Sequence, residues 1–331
     1  MKKIALFTLI IILTLQAQAQ QRTAPQRFGQ ENSYYTYPLY GDVEEIVIYF
    51  YSVYGQDEIL DTLRFNERGD LLSHKGDTYD DTPEDWIQWI YKYDRLGRNT
   101  SIVKKYYGYT DLLETTEINT FYDNRGRIEY EEISWKYPSS TPNKRIQYVY
   151  NNRGQLVQKG ETKYTYLADK LYIEDICQEE YKTREVNKYD NNGNIVESKT
   201  YYDGELYNTK VIEYNDRGLK RLEKNTNPTW SENSAPSIPH FIKYKYDNAG
   251  RKIEKVRIYK DYREYIIRIT TQYIYDSEGK LTTEITSYTD PEYSDTDKFT
   301  YKYDNMGNII EEKYWHGEHF RYRKIYKITY R

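Results

Sequence analysis

The sequence predicts an all-β protein: an extended antiparallel meander of stacked β-hairpin repeats, about twenty strands in a curled or spiralling sheet. Three observations predict it. A glycine recurs at near-regular spacing, an Asp or Asn stands three residues before each copy of it, and an aromatic ring stands one residue earlier still.

The glycines are Gly69, Gly97, Gly126, Gly154, Gly193, Gly218, Gly250, Gly279 and Gly307. Most neighbours stand 28 or 29 residues apart, the period of an array of supersecondary units. The preceding polar residues are Asn66, Asp94, Asp123, Asn151, Asp190, Asn215, Asp247, Asp276 and Asp304. Asp or Asn first and Gly fourth is the pattern of a type I turn closed by a left-handed glycine bulge, which joins two antiparallel strands. The side-chain oxygen caps an N–H inside the turn, so these nine glycines are read as structural turn residues.

The ring before each turn is Phe65, Tyr93, Tyr122, Tyr150, Tyr189, Tyr214, Tyr246, Tyr275 or Tyr303. It is expected opposite the residue two after the glycine, which is Leu71, Ile128, Leu156, Ile195, Leu281 or Ile309 in six copies. Such cross-strand pairs contribute roughly 0.2–1 kcal/mol each. A second ring two residues upstream, as at Tyr91, Tyr148, Tyr244, Tyr273 and Tyr301, continues that face. The turn acids Asp94, Asp123, Asp247 and Asp276 should pair across the turn with Arg98, Arg127, Arg251 and Lys280.

Tighter turns close the far ends, as at Tyr202-Asp203-Gly204-Glu205 and His316-Gly317-Glu318-His319. The long gap before Gly193 hides a degenerate copy around residues 164–172, and residues 86–91 read as strand. Ordering 28 residues costs on the order of 40 kcal/mol at about 1.5 per residue, so no copy folds alone and stacking supplies the rest, with end copies as caps. Tyrosine numbers 42 against 8 phenylalanines, which suits half-buried rings with hydroxyls in water and argues against a thick aliphatic core.

Residues 1–19 read as a signal peptide: Lys2 and Lys3, an apolar run over residues 4–15, then Ala17-Gln18-Ala19. Residues 20–42 form an N-terminal linker, and residues 43–331 the repeat domain with an insertion at 225–240. The mature chain is expected to be secreted, to the periplasm, outer surface or medium, with no transmembrane segment. The single cysteine, Cys177, excludes an internal disulfide framework and reads as a small packed side chain. The 48 basic and 52 acidic residues are interspersed, which excludes nucleic acid as partner.

Tyr91 to Arg98 and Tyr244 to Arg251 follow the pattern Tyr-x-Tyr-Asp-x-x-Gly-Arg. This resembles the YD repeat of the RHS/teneurin-type family, over residues 60–320, and small secreted YD-repeat proteins of Bacteroidetes type. The resemblance implies stacked hairpins in a spiralling sheet.

No nucleophile elbow, phosphate loop or zinc motif is present, and abundant carboxylates single out no glycosidase pair. His316 and His319 flank a tight turn with no third metal ligand, and the acidic stretch 77–85 lacks the ligand spacing of a calcium loop. No metal, cofactor or catalytic residue is expected. Among Trp86, Trp89, Trp135, Trp230 and Trp315, the contact candidates are Trp230, inside the insertion, with Trp86, Trp89 and Trp315. The expected function is a non-enzymatic binding or scaffold module with a protein or glycan partner at the cell envelope; the alternative is a carbohydrate-binding module using exposed aromatics.

Overall fold

The computed structural model describes residues 35, 37–53, 57–77, 85–108, 111–137, 142–167, 170–178, 181–226, 240–260, 265–289 and 294–331. Every regular element among them is a strand. The first eleven are β1 (Val43–Ser52), β2 (Asp57–Phe65), β3 (Leu71–Asp77), β4 (Trp86–Tyr93), β5 (Asn99–Gly108), β6 (Asp111–Tyr122), β7 (Ile128–Tyr137), β8 (Lys144–Tyr150), β9 (Leu156–Lys159), β10 (Thr162–Leu167) and β11 (Lys170–Gln178). Next come β12 (Tyr181–Tyr189), β13 (Ile195–Tyr202), β14 (Glu205–Tyr214), β15 (Lys220–Thr226), β16 (His240–Tyr246), β17 (Lys252–Lys260), β18 (Ile266–Tyr275), β19 (Leu281–Thr289), β20 (Ser294–Tyr303), β21 (Ile309–His316) and β22 (His319–Tyr330). The fold is the expected all-β antiparallel meander, in which sequence neighbours pair; β1 pairs with β22 as well as with β2.

All nine repeat glycines have positive φ, between +73° and +92°. Copy three shows why the turn forms. Gly126 N–H donates to the Asp123 carbonyl at 2.9 Å, and Asp123 N–H to the Arg127 carbonyl at 2.8 Å. Asp123 Oδ1 accepts the N–H groups of Arg125 and Arg127, both at 2.9 Å, while Oδ2 takes the Arg127 guanidinium at 2.8 Å. Arg98 and Arg251 pair likewise with Asp94 and Asp247, at 2.7 Å each. Lys280 departs from the expected pattern, with its ammonium 3.0 Å from Glu278.

Gly279→Ala should therefore destabilise by about 1–2 kcal/mol through its left-handed backbone alone. A Cβ there would also lie 2.8 Å from Arg251 Nη1, a guanidinium already held by Asp247. At Gly193 a Cβ meets nothing within 4 Å. Urea denaturation should show the larger loss at Gly279.

The predicted ring-to-aliphatic pairing holds in each described register, as in Phe65↔Leu71, Tyr122↔Ile128, Tyr150↔Leu156 and Tyr275↔Leu281. A second bulge then follows in every one of these hairpins. Phe65 faces Leu71 but Arg64 faces Ser73, which skips Leu72; Thr100, Glu129, Val157, Val196, Arg221, Ile253 and Thr282 are skipped in the same way. The extra residue reverses the side-chain phase of the return strand. Consequently the residue five after the glycine returns to the ring's face, as in Leu63↔His74, Tyr91↔Ile102, Tyr244↔Lys255 and Tyr273↔Glu284.

The degenerate copy is the hairpin β10–β11, with Tyr166↔Leu171 in register and no Asp-x-x-Gly pattern in the sequence between its strands. The insertion springs from β15–β16, where Asn225 faces His240. Its residues 227–239, Trp230 among them, lie outside the described residues, as do 78–84 of the acidic stretch.

The chain packs as two units. The first holds its described residues up to 114 with 302–312 and 323–331, and the second holds 115–301 with 313–322. The first unit has an aliphatic core that composition alone argued against: Val43, Ile46, Ile48, Leu63 and Leu71 are fully buried beside Phe65, Leu60 and Ile309. The linker assignment also gives way at its end, because Tyr35 and Leu39 are fully buried in this unit. In the second unit the most buried aliphatic residues are Ile212, Ile242, Val256 and Ile267.

Candidate functional site

The tyrosines preceding the turns do more than pack. Their hydroxyls donate to the backbone carbonyl two residues after the glycine of the preceding copy: Tyr93 to Leu71 at 2.8 Å, Tyr150 to Ile128 at 2.9 Å, Tyr214 to Ile195 at 3.0 Å and Tyr275 to Lys252 at 2.8 Å. Tyr166 of the degenerate copy does the same to Leu156 at 2.9 Å. These hydroxyls were expected to reach water; instead they join one copy to the next. In the copy at Gly69 the ring is Phe65, which carries no hydroxyl.

Turn cations reinforce the ladder. The Arg127 guanidinium lies 4.3 Å from the Tyr150 ring centroid and Arg251 4.8 Å from Tyr275, each on the ring of the following copy. Arg68 Nη1 reaches the carbonyl of Arg95 at 3.3 Å, and Arg217 that of Asp247 at 3.2 Å.

The upstream rings use the reversed phase of the return strands. Tyr148 donates its hydroxyl to Glu131 at 2.7 Å and Tyr244 to Glu223 at 3.4 Å, both glutamates lying five residues after the glycine of the previous copy. Burial, then the Glu223 carboxylate, pushes the Tyr244 hydroxyl up to about 12. Both tyrosines therefore remain neutral donors across the physiological range.

The turn carboxylates titrate low. The Arg98 N–H donated to Asp94 is the largest cause, offset in part by desolvation and helped by the Arg98 guanidinium and the Leu96 N–H, and it holds Asp94 below its ordinary 3.8. Asp123 follows with Arg127 and Arg125. At Asp247 burial pushes upward but the Arg251 N–H and guanidinium outweigh it. A carboxylate depressed in the folded state stabilises above its unfolded value, and that contribution disappears as pH falls through the folded value. The melting temperature should therefore drop below about pH 4. A variant carrying Asp94→Asn, Asp123→Asn and Asp247→Asn should drop less steeply in a thermal-melt series, because asparagine keeps the N–H caps, as Asn66 does for Arg68 and Asp70 at 2.9 Å.

A polar cluster in the second unit gathers around Asp297. His316 places Nε2 2.6 Å from Asp295 and Nδ1 3.0 Å from Asp297, while Tyr314 and Tyr288 donate hydroxyls to Asp297 at 2.7 and 2.9 Å. Burial opposes the charge on Asp297, but the His316, Tyr314 and Tyr288 bonds outweigh it and hold that carboxyl below the usual range. The cluster ties the tip of β21 to β20, together with Gly317 N–H donating to the Thr296 carbonyl at 2.7 Å. The sequence had linked His316 with His319 instead; His319 is exposed. Among the described residues no group of three or more His, Cys, Asp or Glu has the arrangement to hold a metal ion.

Trp86, Trp89 and Trp315 each have an aromatic ring and a lysine as neighbours. Tyr107 stacks on Trp86 at 3.7 Å and 7°, so Lys75, 4.0 Å from the same centroid, must occupy the opposite face. Trp89 stacks with His74 at 5.8 Å and has Lys104 at 5.5 Å, across the register Trp89↔Lys104. Trp315 meets Phe320 edge-on at 5.7 Å and Lys298 at 5.5 Å.

No family model matches the chain, and no curated protein matches it. Solved structures similar to it include TcdB2-TccC3-TEV, at 12% identity over 80% of this chain with a TM-score of 0.41; the chain spans 15% of that molecule's length. A porin-like protein from Bacteroides vulgatus is similar at 12% identity over 58% of this chain and 95% of that one, with a TM-score of 0.31. One from Bacteroides uniformis is similar at 12% identity over 88% of this chain and 98% of that one, with a TM-score of 0.30.

Proposed function

We propose that this β-repeat protein is a secreted or envelope-associated scaffold that binds another protein through its sheet surface and performs no catalysis. The observation that carries the reading is the commitment of the repeat's own polar groups. Tyrosine hydroxyls and turn cations bond from one copy to the next and turn carboxylates lock each turn, which favours a stiff array whose remaining surface is free to meet a partner. The state of the tryptophans weighs against the carbohydrate alternative: stacking on a sugar needs an open ring face, and Trp86 has Tyr107 on one side and Lys75 on the other.

Cross-linking in intact cells, followed by capture of this chain, should recover one defined protein partner. Recovery of the free chain alone would remove the proposal. A thermal-shift panel of bacterial and host polysaccharides decides the alternative; a rise in melting temperature that Trp230→Ala abolishes would return the function to glycan binding.

A further inference from the structure

The ninth copy poses a problem that the others do not. In copies three and six the glutamate five residues after the glycine accepts a tyrosine hydroxyl from the next copy, Glu131 from Tyr148 and Glu223 from Tyr244. The same position in the ninth copy is Glu312, which is 5% exposed, and residues 313–331 contain no further Asp-x-x-Gly pattern. The hydroxyl arrives from the other end of the chain: Tyr37 donates to Glu312 Oε2.

The surrounding contacts show that this is a seat and not a chance touch. Tyr40 N–H donates to Asn308 Oδ1 at 2.7 Å, and Asn308 Nδ2 donates back to the Tyr40 carbonyl at 2.8 Å. Asn308 is fully buried, and so are Tyr35 and Leu39. The Tyr35 ring meets Tyr326 of β22 edge-on at 5.2 Å. Gly41 then turns the chain into β1 at φ +83°, so close to Met306 and Tyr330 that a Cβ would lie 3.0 and 3.2 Å from them. Residues 35 and 37–42 thus form a strap that stands in for a tenth copy.

We propose that the groove formed by Asn308, Glu312, Tyr326 and Tyr330 is a docking site for this tyrosine-bearing strap, and that a second copy of the chain inserts its own strap there when the resident one leaves. The occupant follows from the chemistry of the seat. Glu312 takes the Lys324 ammonium on Oε1 at 3.4 Å and offers Oε2 to a hydroxyl donor, Asn308 pairs with a backbone N–H and C=O together, and the strap presents all three at the correct spacing. Every copy of the chain carries both seat and strap, so any two copies are complementary. Tethering gives the resident strap a millimolar-scale effective concentration, which keeps the seat filled under ordinary conditions. This inference stands apart from the binding of a foreign partner, and cross-linking to such a partner can fail without touching it.

The test uses the full mature chain. Leu39→Asp puts a charge at a fully buried position and should expel the strap. A fluorescent peptide of residues 33–42 should then bind this variant one to one by anisotropy, and should not bind the wild-type chain. The same peptide with Tyr37→Phe should bind roughly ten-fold more weakly, the loss of one bond to a charged acceptor. Should Leu39→Asp prevent folding, Tyr37→Ala serves as the vacated variant. A folded variant that ignores the peptide, or that binds both peptides equally, overturns the docking site. Wild-type chain held near its unfolding midpoint at high concentration and then cooled should yield a dimer by size, while Leu39→Asp stays monomeric; wild-type that remains monomeric overturns exchange between copies.

Discussion

Asn308→Ala should lower the unfolding free energy by about 3 kcal/mol, the sum expected for three lost bonds at roughly 1 kcal/mol each, with further loss from the groups left behind. Asn308 is fully buried and serves Tyr40 through both its side-chain atoms, with a third bond of 2.6 Å from Nδ2 to the Tyr330 hydroxyl. Alanine would leave the Tyr40 N–H and C=O facing a cavity. Asn308→Asp separates the contributions: it keeps an acceptor for the Tyr40 N–H but cannot donate to the carbonyl, and it brings charge next to Asp304. Guanidinium titration should show a lowered midpoint for both variants at an unchanged slope. A midpoint within error of wild type for Asn308→Ala would mean that the strap does not depend on this seat.

Leu63→Ala should cost about 3 kcal/mol, in the middle of the range for a fully buried leucine. Leu63 sits on β2 opposite His74, inside the aliphatic cluster of Val43, Ile46, Ile48 and Leu71. Its surroundings are strands on several sides, which cannot collapse into the space a truncated side chain leaves. The comparison is Ile266→Ala at the start of β18, where the side chain is 67% exposed and the change should stay within about 0.5 kcal/mol. Equal losses at the two sites would contradict the placement of the apolar core in the first unit.

What was legible in the sequence was whatever local hydrogen bonding decides. Asp123, Arg125, Gly126 and Arg127 lie within five residues, and the turn they form needs no partner from elsewhere, so its geometry and its ion pair could be read directly. In several copies the side chain one residue after the glycine matches the turn residue: the donors Arg98, Arg127 and Asn194 follow aspartate, and the acceptors Asp70 and Gln155 follow asparagine.

The rest depended on register. The bulge at Leu72 and its counterparts leaves no motif of its own, only a break in alternation after the glycine, so the return of Glu131 and Glu223 to the ring's face was not foreseen. The destination of the Tyr150 hydroxyl, the Ile128 carbonyl, needs the preceding hairpin's position. Composition hid the core because it averages over the chain, while Val43, Ile46, Ile48, Leu63 and Leu71 crowd into its first strands. Trp86 looked open because Lys75 and Tyr107 are remote in sequence and meet it only across β3 and β5. The strap looked like linker because Tyr37 and Tyr40 follow no strand period, and their partners Glu312 and Asn308 lie at the opposite end of the chain.

The pairing of β1 with β22 sets the order in which this molecule can mature. Ile46 and Ile48 are translated long before the strand beside theirs, which ends at Tyr330. Until it emerges, the nascent chain holds a greasy edge with no neighbour. Contacts so distant along the chain form slowly. A chaperone that shields the early strands during translation is therefore expected to raise the yield of folded protein more than one acting on the hairpins that follow.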